Sequence, residues 1–252
     1  MIHEFLLPAL AGFIAGAMNA VVGGGSFVSL AALVGLGLPS VSANETSTVA
    51  LFFGQISSSW AVRDGLRPVA GVPIMRMLPA TIVGGFVGAL ALMATPDLVL
   101  DQILPWLLLF AAIALLAGRQ TSAALRRHGV HIGVGAILPA QFVLGVYGGY
   151  FGGAVGIIMA AVWLLLDQAD LRAMMPMRTL MVSAANATAV LMFATLGQVH
   201  WPAAISMAVT AGAGGYLGAH YGRRLPNIVL KSVTIAVTLA MTLYFFHRAG
   251  TL

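Results

Sequence analysis

Apolar residues fall along this chain in eight blocks, 5–38, 46–62, 69–94, 102–117, 132–166, 179–196, 201–221 and 228–246, separated by short polar joints. Six blocks suit single helices crossing a bilayer, which need about 20 residues for a hydrocarbon core of ~30 Å. The first and fifth hold about 34 residues each and, unbroken, would reach roughly 50 Å at 1.5 Å per residue. Both carry glycine clusters near mid-length, "NAVVGGGSFVS" (Asn19 to Ser29) and "GVYGGYFGGAVG" (Gly145 to Gly156). The pattern predicts an all-α polytopic integral membrane protein in which the two long blocks are broken helices.

Composition agrees with that solvent. The chain is 60% hydrophobic and 8% charged, far below the roughly 25% charged residues of soluble domains, and its mean hydropathy is +0.98. The first residues have an apolar core and an A-x-A-like end, yet lack a basic n-region, so they read as mature structure rather than a signal peptide. With no cysteine, disulfides, Cys-based metal sites and thiol catalysis are excluded. The net charge of +5 comes from cations in short loops, an arrangement that orients a chain in a membrane rather than one that binds nucleic acid.

The chain repeats itself. At a shift of 133, Gly12, Gly16, Gly23 and Thr46 fall on Gly145, Gly149, Gly156 and Thr179. At a shift of 130, "GGFVGA" (84–89) falls on "GGYLGA" (214–219) and "PDLVL" (96–100) on "PNIVL" (226–230). Two repeats, 1–125 and 126–252, are expected within one membrane domain. The basic stretch "GRQTSAALRRHGVH", Gly118 to His131, reads as their cytoplasmic linker.

Charge discriminates between two topologies. If each long block crosses once, at best seven of the twelve cations lie inside; if each enters and returns to its own side, eleven do, with Arg248 alone outside. The positive-inside rule selects the second. Each repeat then has one re-entrant broken segment and three transmembrane helices, and the two repeats are inverted, as in many secondary transporters. Broken helices bare backbone groups that hydrocarbon cannot satisfy, so the breaks belong in protein or beside a wet cavity.

The candidate site residues gather at those breaks. Gly23, Gly24 and Gly25 allow unusual dihedrals and close approach, and a helix beginning near Ser26 would offer N–H groups to an anion. Ser26 serves equally as a cap; Asn19, an amide in an apolar helix, needs a partner. Gly153, Gly156 and Tyr150 flank the second break. In "SANETSTVALFFGQISSSW" Thr48, Gln55 and Ser59 share a helix face, as do Thr179, Ser183 and Asn186 in "RTLMVSAANATAV". These faces point inward, to line a cavity or to hydrogen-bond between helices. Glu45 and Arg178 occupy corresponding ends of the two helices; they are candidates for gating or proton coupling, Arg178 also for attracting an anion at a vestibule, or they act as a helix-end partner and a positive-inside anchor. The G-x-x-x-G glycines, with Gly84, Gly85, Gly88 and Gly214, Gly215, Gly218, read as helix packing.

The run "AGFIAGAMNAVVGGGSFVSLAALVGLGLPSVSANETS", with the second-half "GVYGGYFGGAVGIIM" and "RTLMVSAANATAV", resembles the two repeats of the sulfite exporter TauE/SafE family of membrane permeases. That resemblance implies transport, as an exporter, of small sulfur-containing anions such as sulfite or organosulfonates across a bacterial inner membrane. It departs at Asn19 and Val22, where small residues or glycine are usual, and "NETS" is more polar than the family's segment. An anion channel or a permease for another small organic anion is the alternative. An enzyme is not expected: no H-E-x-x-H pair occurs, the aspartates lie in loops and the six histidines are scattered. No cofactor or metal is implied. The expected partners are a small anionic substrate and the lipid bilayer, with assembly into a homo-oligomer left open.

Overall fold

The computed structural model describes residues 2–21, 24–69, 71–128, 134–153, 155–166, 171–221 and 227–248. Gly23 and the end of the basic linker, 129–131, lie outside the described residues. The helices are α1 (Ile2–Val21), α2 (Gly25–Gly35), α3 (Ser40–Ala61), α4 (Ile74–Met93), α5 (Asp97–Arg127), α6 (Ile137–Phe151), α7 (Val155–Leu166), α8 (Leu171–Leu196), α9 (Trp201–Tyr221) and α10 (Asn227–Arg248). Both long blocks are broken as their length requires. Gly24, at φ 85°, separates α1 from α2, and Gly152, at φ 69°, ends α6 ahead of α7. In this left-handed region a side chain costs about 1–2 kcal/mol.

Two boundaries differ from the apolar pattern. Helix α3 starts at Ser40 and α8 at Leu171, ahead of the blocks at 46 and 179. The early start of α3 is sustained from α5: Asp97 accepts the Val41 N–H at 2.8 Å and Asp101 accepts the Ser40 hydroxyl. The polar stretch from Gly118 to Arg127, expected as linker, instead prolongs α5. Its Arg, Gln, Ala and Leu residues favour helix and no proline stops it.

Contacts between side chains and backbone give the helix directions. Ser42, Thr46, Gly54 and Ser58 of the first half meet Gln198, His200, Ala211 and Gly215, in ascending order, so α3 runs parallel to α9. Gly12 and Gly16 meet Met207 and Ala211, so α1 does too. With α1 and α3 parallel, the chain enters along α1, turns at Gly24 and comes back along α2 before α3 begins. Across the halves again, Thr81, Gly85 and Gly88 of α4 meet Gly145, Gly149 and Tyr150 of α6, also in parallel. Helices α3 and α8, which correspond in the repeat, run antiparallel: Ser59 meets Ser183, Gln55 meets Asn186 and Glu45 meets Gln198. Corresponding helices therefore point opposite ways, the inverted arrangement expected from charge.

The packing has matching halves. Helix α1 lies on α9 as α6 lies on α4, α3 on α9 as α8 on α4, and α5 on α7 as α10 on α2. Glycines make these contacts close: a Cβ at Gly88 would meet the Val146 carbonyl, and one at Gly214 the Phe13 carbonyl. Large apolar side chains such as Phe13, Phe86, Trp106, Leu191 and Val209 are left exposed on the outside of the bundle, where lipid covers them. By length and composition alone, among the described residues Ile74–Met93, Asp97–Ala114 and Met174–Leu196 suit full crossings.

Candidate functional site

The two breaks meet between α3 and α8. Ser26 Oγ lies 3.5 Å from the Gly152 carbonyl, and a Cβ on Gly153 would strike both Phe27 and Phe151. Beside this seam is a cavity of about 30 Å³, room for a water or two. The first half lines it with Asn19, Gly24, Gln55 and Ser58; the second with Gly152, Val155, Gly156, Arg178, Thr179 and Val182.

Each polar lining residue has a local reason for its pose. The first N–H of α2, from Gly25, donates to Asn19 Oδ1 at 2.7 Å. A group expected to be bare is thus satisfied, and the Asn19 Nδ2 donors have no partner among the described residues. Asn186 Nδ2 donates to Gln55 Oε1 at 3.0 Å, which fixes the Gln55 amide against α8, while Asn186 Oδ1 is buried without a partner among the described residues. Ser58 donates back to the Gly54 carbonyl at 2.6 Å and Thr179 to the Met175 carbonyl at 2.9 Å. Arg178 is partly buried, and no carboxylate among the described residues lies within ion-pair reach of it. The space is thus ringed by a cation, amides and hydroxyls, with no carboxylate paired to the cation among the described residues.

Of the residues singled out in the sequence, Asn19, Gly24, Gln55, Gly156, Arg178 and Thr179 line this cavity. Ser26 sits on the seam, and Gly25 packs against the Ala15 backbone. Thr48 touches Gly152. Ser183 and Ser59 share a hydrogen bond at 3.0 Å, and Asn186 stands behind Gln55. Tyr150 turns its hydroxyl to Thr95, 3.3 Å away, and its carbonyl to Asn44. Glu45 is at the far end of α3. Ser58, Gly152, Val155 and Val182 were not singled out. Ser58 is one helical turn from Gln55 and Val182 one from Thr179, so the face was readable but its precise rotation about α3 was not.

Residues 8–245 match the family described as sulfite exporter TauE/SafE. The chain belongs to this family. A probable membrane transporter protein YfcA of Escherichia coli (strain K12) is 29% identical over 255 residues, covering 96% of this chain and 89% of that protein. A probable membrane transporter protein of Haemophilus influenzae is 25% identical over 239 residues, 94% of this chain and 90% of its own length. The probable membrane transporter protein ORF9 of Sinorhizobium sp is 25% identical over 244 residues, 96% and 92%. No solved structure matches. This TauE/SafE protein is thus a multi-pass membrane protein of a transporter family, and its cavity sits where inverted-repeat transporters hold their cargo, between two interrupted helices.

Proposed function

We propose that this protein is a secondary transporter that exports small sulfur-containing anions, sulfite or organosulfonates, across a bacterial inner membrane by alternating access. The observation that carries this reading is Arg178 on the cavity wall without a carboxylate partner among the described residues. The sequence-based expectation had the anion held by backbone N–H groups, hydroxyls and amides, with Arg178 a candidate to attract it at a vestibule. A guanidinium adds a planar fork matched to an oxyanion, with Asn19, Gln55 and Thr179 supplying further donors. The site is made half from each repeat, so rocking one repeat against the other moves it from one face to the other.

In the present conformation the cavity is too small for more than water, so an anion enters only when the seam at Ser26 and Gly152 parts. A cavity this small favours a carrier over a channel, because a channel needs a continuous wet path. Purified protein in proteoliposomes is expected to exchange ³⁵S-sulfite with saturation and counterflow. Losing a charge-assisted hydrogen bond costs about 1.5–3 kcal/mol, so Arg178→Gln is expected to raise the half-saturating sulfite concentration roughly 10- to 100-fold. Unitary currents from the wild-type protein, or unchanged saturation in Arg178→Gln, would refute the reading.

A further inference from the structure

The end of the bundle opposite Arg178 is closed by one short stretch of α3. Ser42 Oγ donates to the Gln198 carbonyl at 2.6 Å, Glu45 Oε2 accepts the Gln198 N–H, and Thr46 Oγ1 accepts the His200 N–H at 2.9 Å. Three side chains clasp the α8–α9 loop. Glu45 is 1% exposed and precedes the crossing stretch of α3, level with that loop. The described titratable groups around it are Asp97 and Asp101 from α5, His200 from the loop and Tyr150 from α6. Asp97 and Asp101 are bonded to the first turn of α3, and His200 turns Nδ1 to the Ala203 N–H. Among the described residues no cation pairs with Glu45, and α2, α8 and α9 bring no charged group to it.

The repeat gives this carboxylate a counterpart. The shift that carries Thr46 onto Thr179 carries Glu45 onto Arg178. Where α3 clasps the α8–α9 loop by three hydrogen bonds, α8 meets the α3–α4 joint through Gly65 against Pro176, and Arg178 faces the cavity. The two ends are in different states at equivalent places. Alternating access by exchange of the repeats would put Glu45, in the opposite conformation, on the wet wall that Arg178 lines here.

We propose that Glu45 is a proton-binding site, and that the face formed by α3 and the α8–α9 loop closes with Glu45 protonated and opens as the proton leaves. The inference rests on the alternating-access reading. An ionised carboxylate is stable on an open, wet wall, but sealing it away from water with no cation beside it is costly. A neutral carboxyl keeps its carbonyl oxygen for the Gln198 N–H and loses that penalty. Burial accordingly raises the Glu45 carboxyl above its ordinary value; the Gln198 N–H pulls it partly back, and Asp97 adds to the rise. The closed face then holds the proton more tightly than the open one, so acid on this side favours closure and alkali favours opening.

Because the chain has no cysteine, a Thr48→Cys protein carries a single reporter, buried one turn below Glu45. Spheroplasts are treated from outside with a membrane-impermeant maleimide, without added anion, from about pH 5 to about pH 8. Rates are divided by those of a Gln198→Cys protein, whose exposed side chain corrects for thiol ionisation. The normalised rate is expected to rise several-fold with pH, and to stay low and flat when Glu45→Gln is added. A flat profile with Glu45 present, or faster labelling in Glu45→Gln throughout, overturns the proposal; the first of these is read without the Glu45→Gln protein, should that variant not fold. A rising profile in a protein that shows no sulfite counterflow would leave the proton site standing and remove the anion reading.

Discussion

Asn19 joins the backbone to the cavity through one amide. Its oxygen takes the first N–H of α2 and its nitrogen is left for the cavity. The two roles separate by substitution. Asn19→Ala strands a buried N–H, at a cost of about 1–3 kcal/mol, and is expected to lower both the melting temperature and sulfite exchange. Asn19→Asp keeps the acceptor while adding a negative charge to the wall. It is expected to melt near the wild-type temperature and to lose sulfite exchange, measured on the same preparation. At the other end of the site, Gln55→Ala removes the acceptor for Asn186, so both ligand-induced stabilisation by sulfite and basal stability should fall. The residue types were legible in the sequence. An amide or a hydroxyl in an apolar helix has to find a partner, but several partners are chemically equivalent, and choosing among them takes the fold. Thus Asn186 and Ser183, candidates for the cavity wall, spend their hydrogen bonds on Gln55 and Ser59, and Ser58 lines the cavity instead.

The helices owe their close contacts to glycine. Gly84, Gly85 and Gly88 admit α6 and α8 to the surface of α4, and Gly214, Gly215 and Gly218 admit α1 and α3 to α9. At Gly88 a side chain meets backbone, which cannot swing aside as a rotamer does. Gly88→Leu is therefore expected to reduce the amount of folded protein recovered in detergent by more than Gly35→Leu, a position with open space around it, overpacking costing typically 1–3 kcal/mol. Equal recovery of the two would contradict this account of the α4–α6 contact. The number of crossing elements and the breaks near Gly24 and Gly152 follow from block length and glycine clustering. Helix starts were less legible. Residues 40–45 look like a polar joint, and they become helix because α5 and the α8–α9 loop accept and donate their hydrogen bonds. The basic stretch after Gly118 has no apolar period, yet nothing in it opposes helix, so α5 simply continues.

Across the whole molecule, motion of one repeat against the other has to pass through the antiparallel α3–α8 contact. Ser59 and Ser183 approach within 3.0 Å there. A Ser59→Cys/Ser183→Cys protein is expected to form a disulfide under mild oxidation and to stop sulfite counterflow, with recovery on reduction; full counterflow in the oxidised protein would mean that α3 and α8 move as one body. The solvent, the inverted repeat and the re-entrant course of both long blocks follow from the order of residues alone. These rest on hydrophobicity, on the ~30 Å thickness of the bilayer and on the side to which cations are drawn, and they require no knowledge of neighbours. It took the packed helices to reveal that the two breaks touch, that Arg178 faces the cavity while its counterpart Glu45 is sealed under a loop, and which polar side chains hold helices together. Those outcomes depend on the exact rotation of each helix about its axis and on the register between halves, which the apolar pattern leaves free because most of each helix surface is apolar enough to meet lipid.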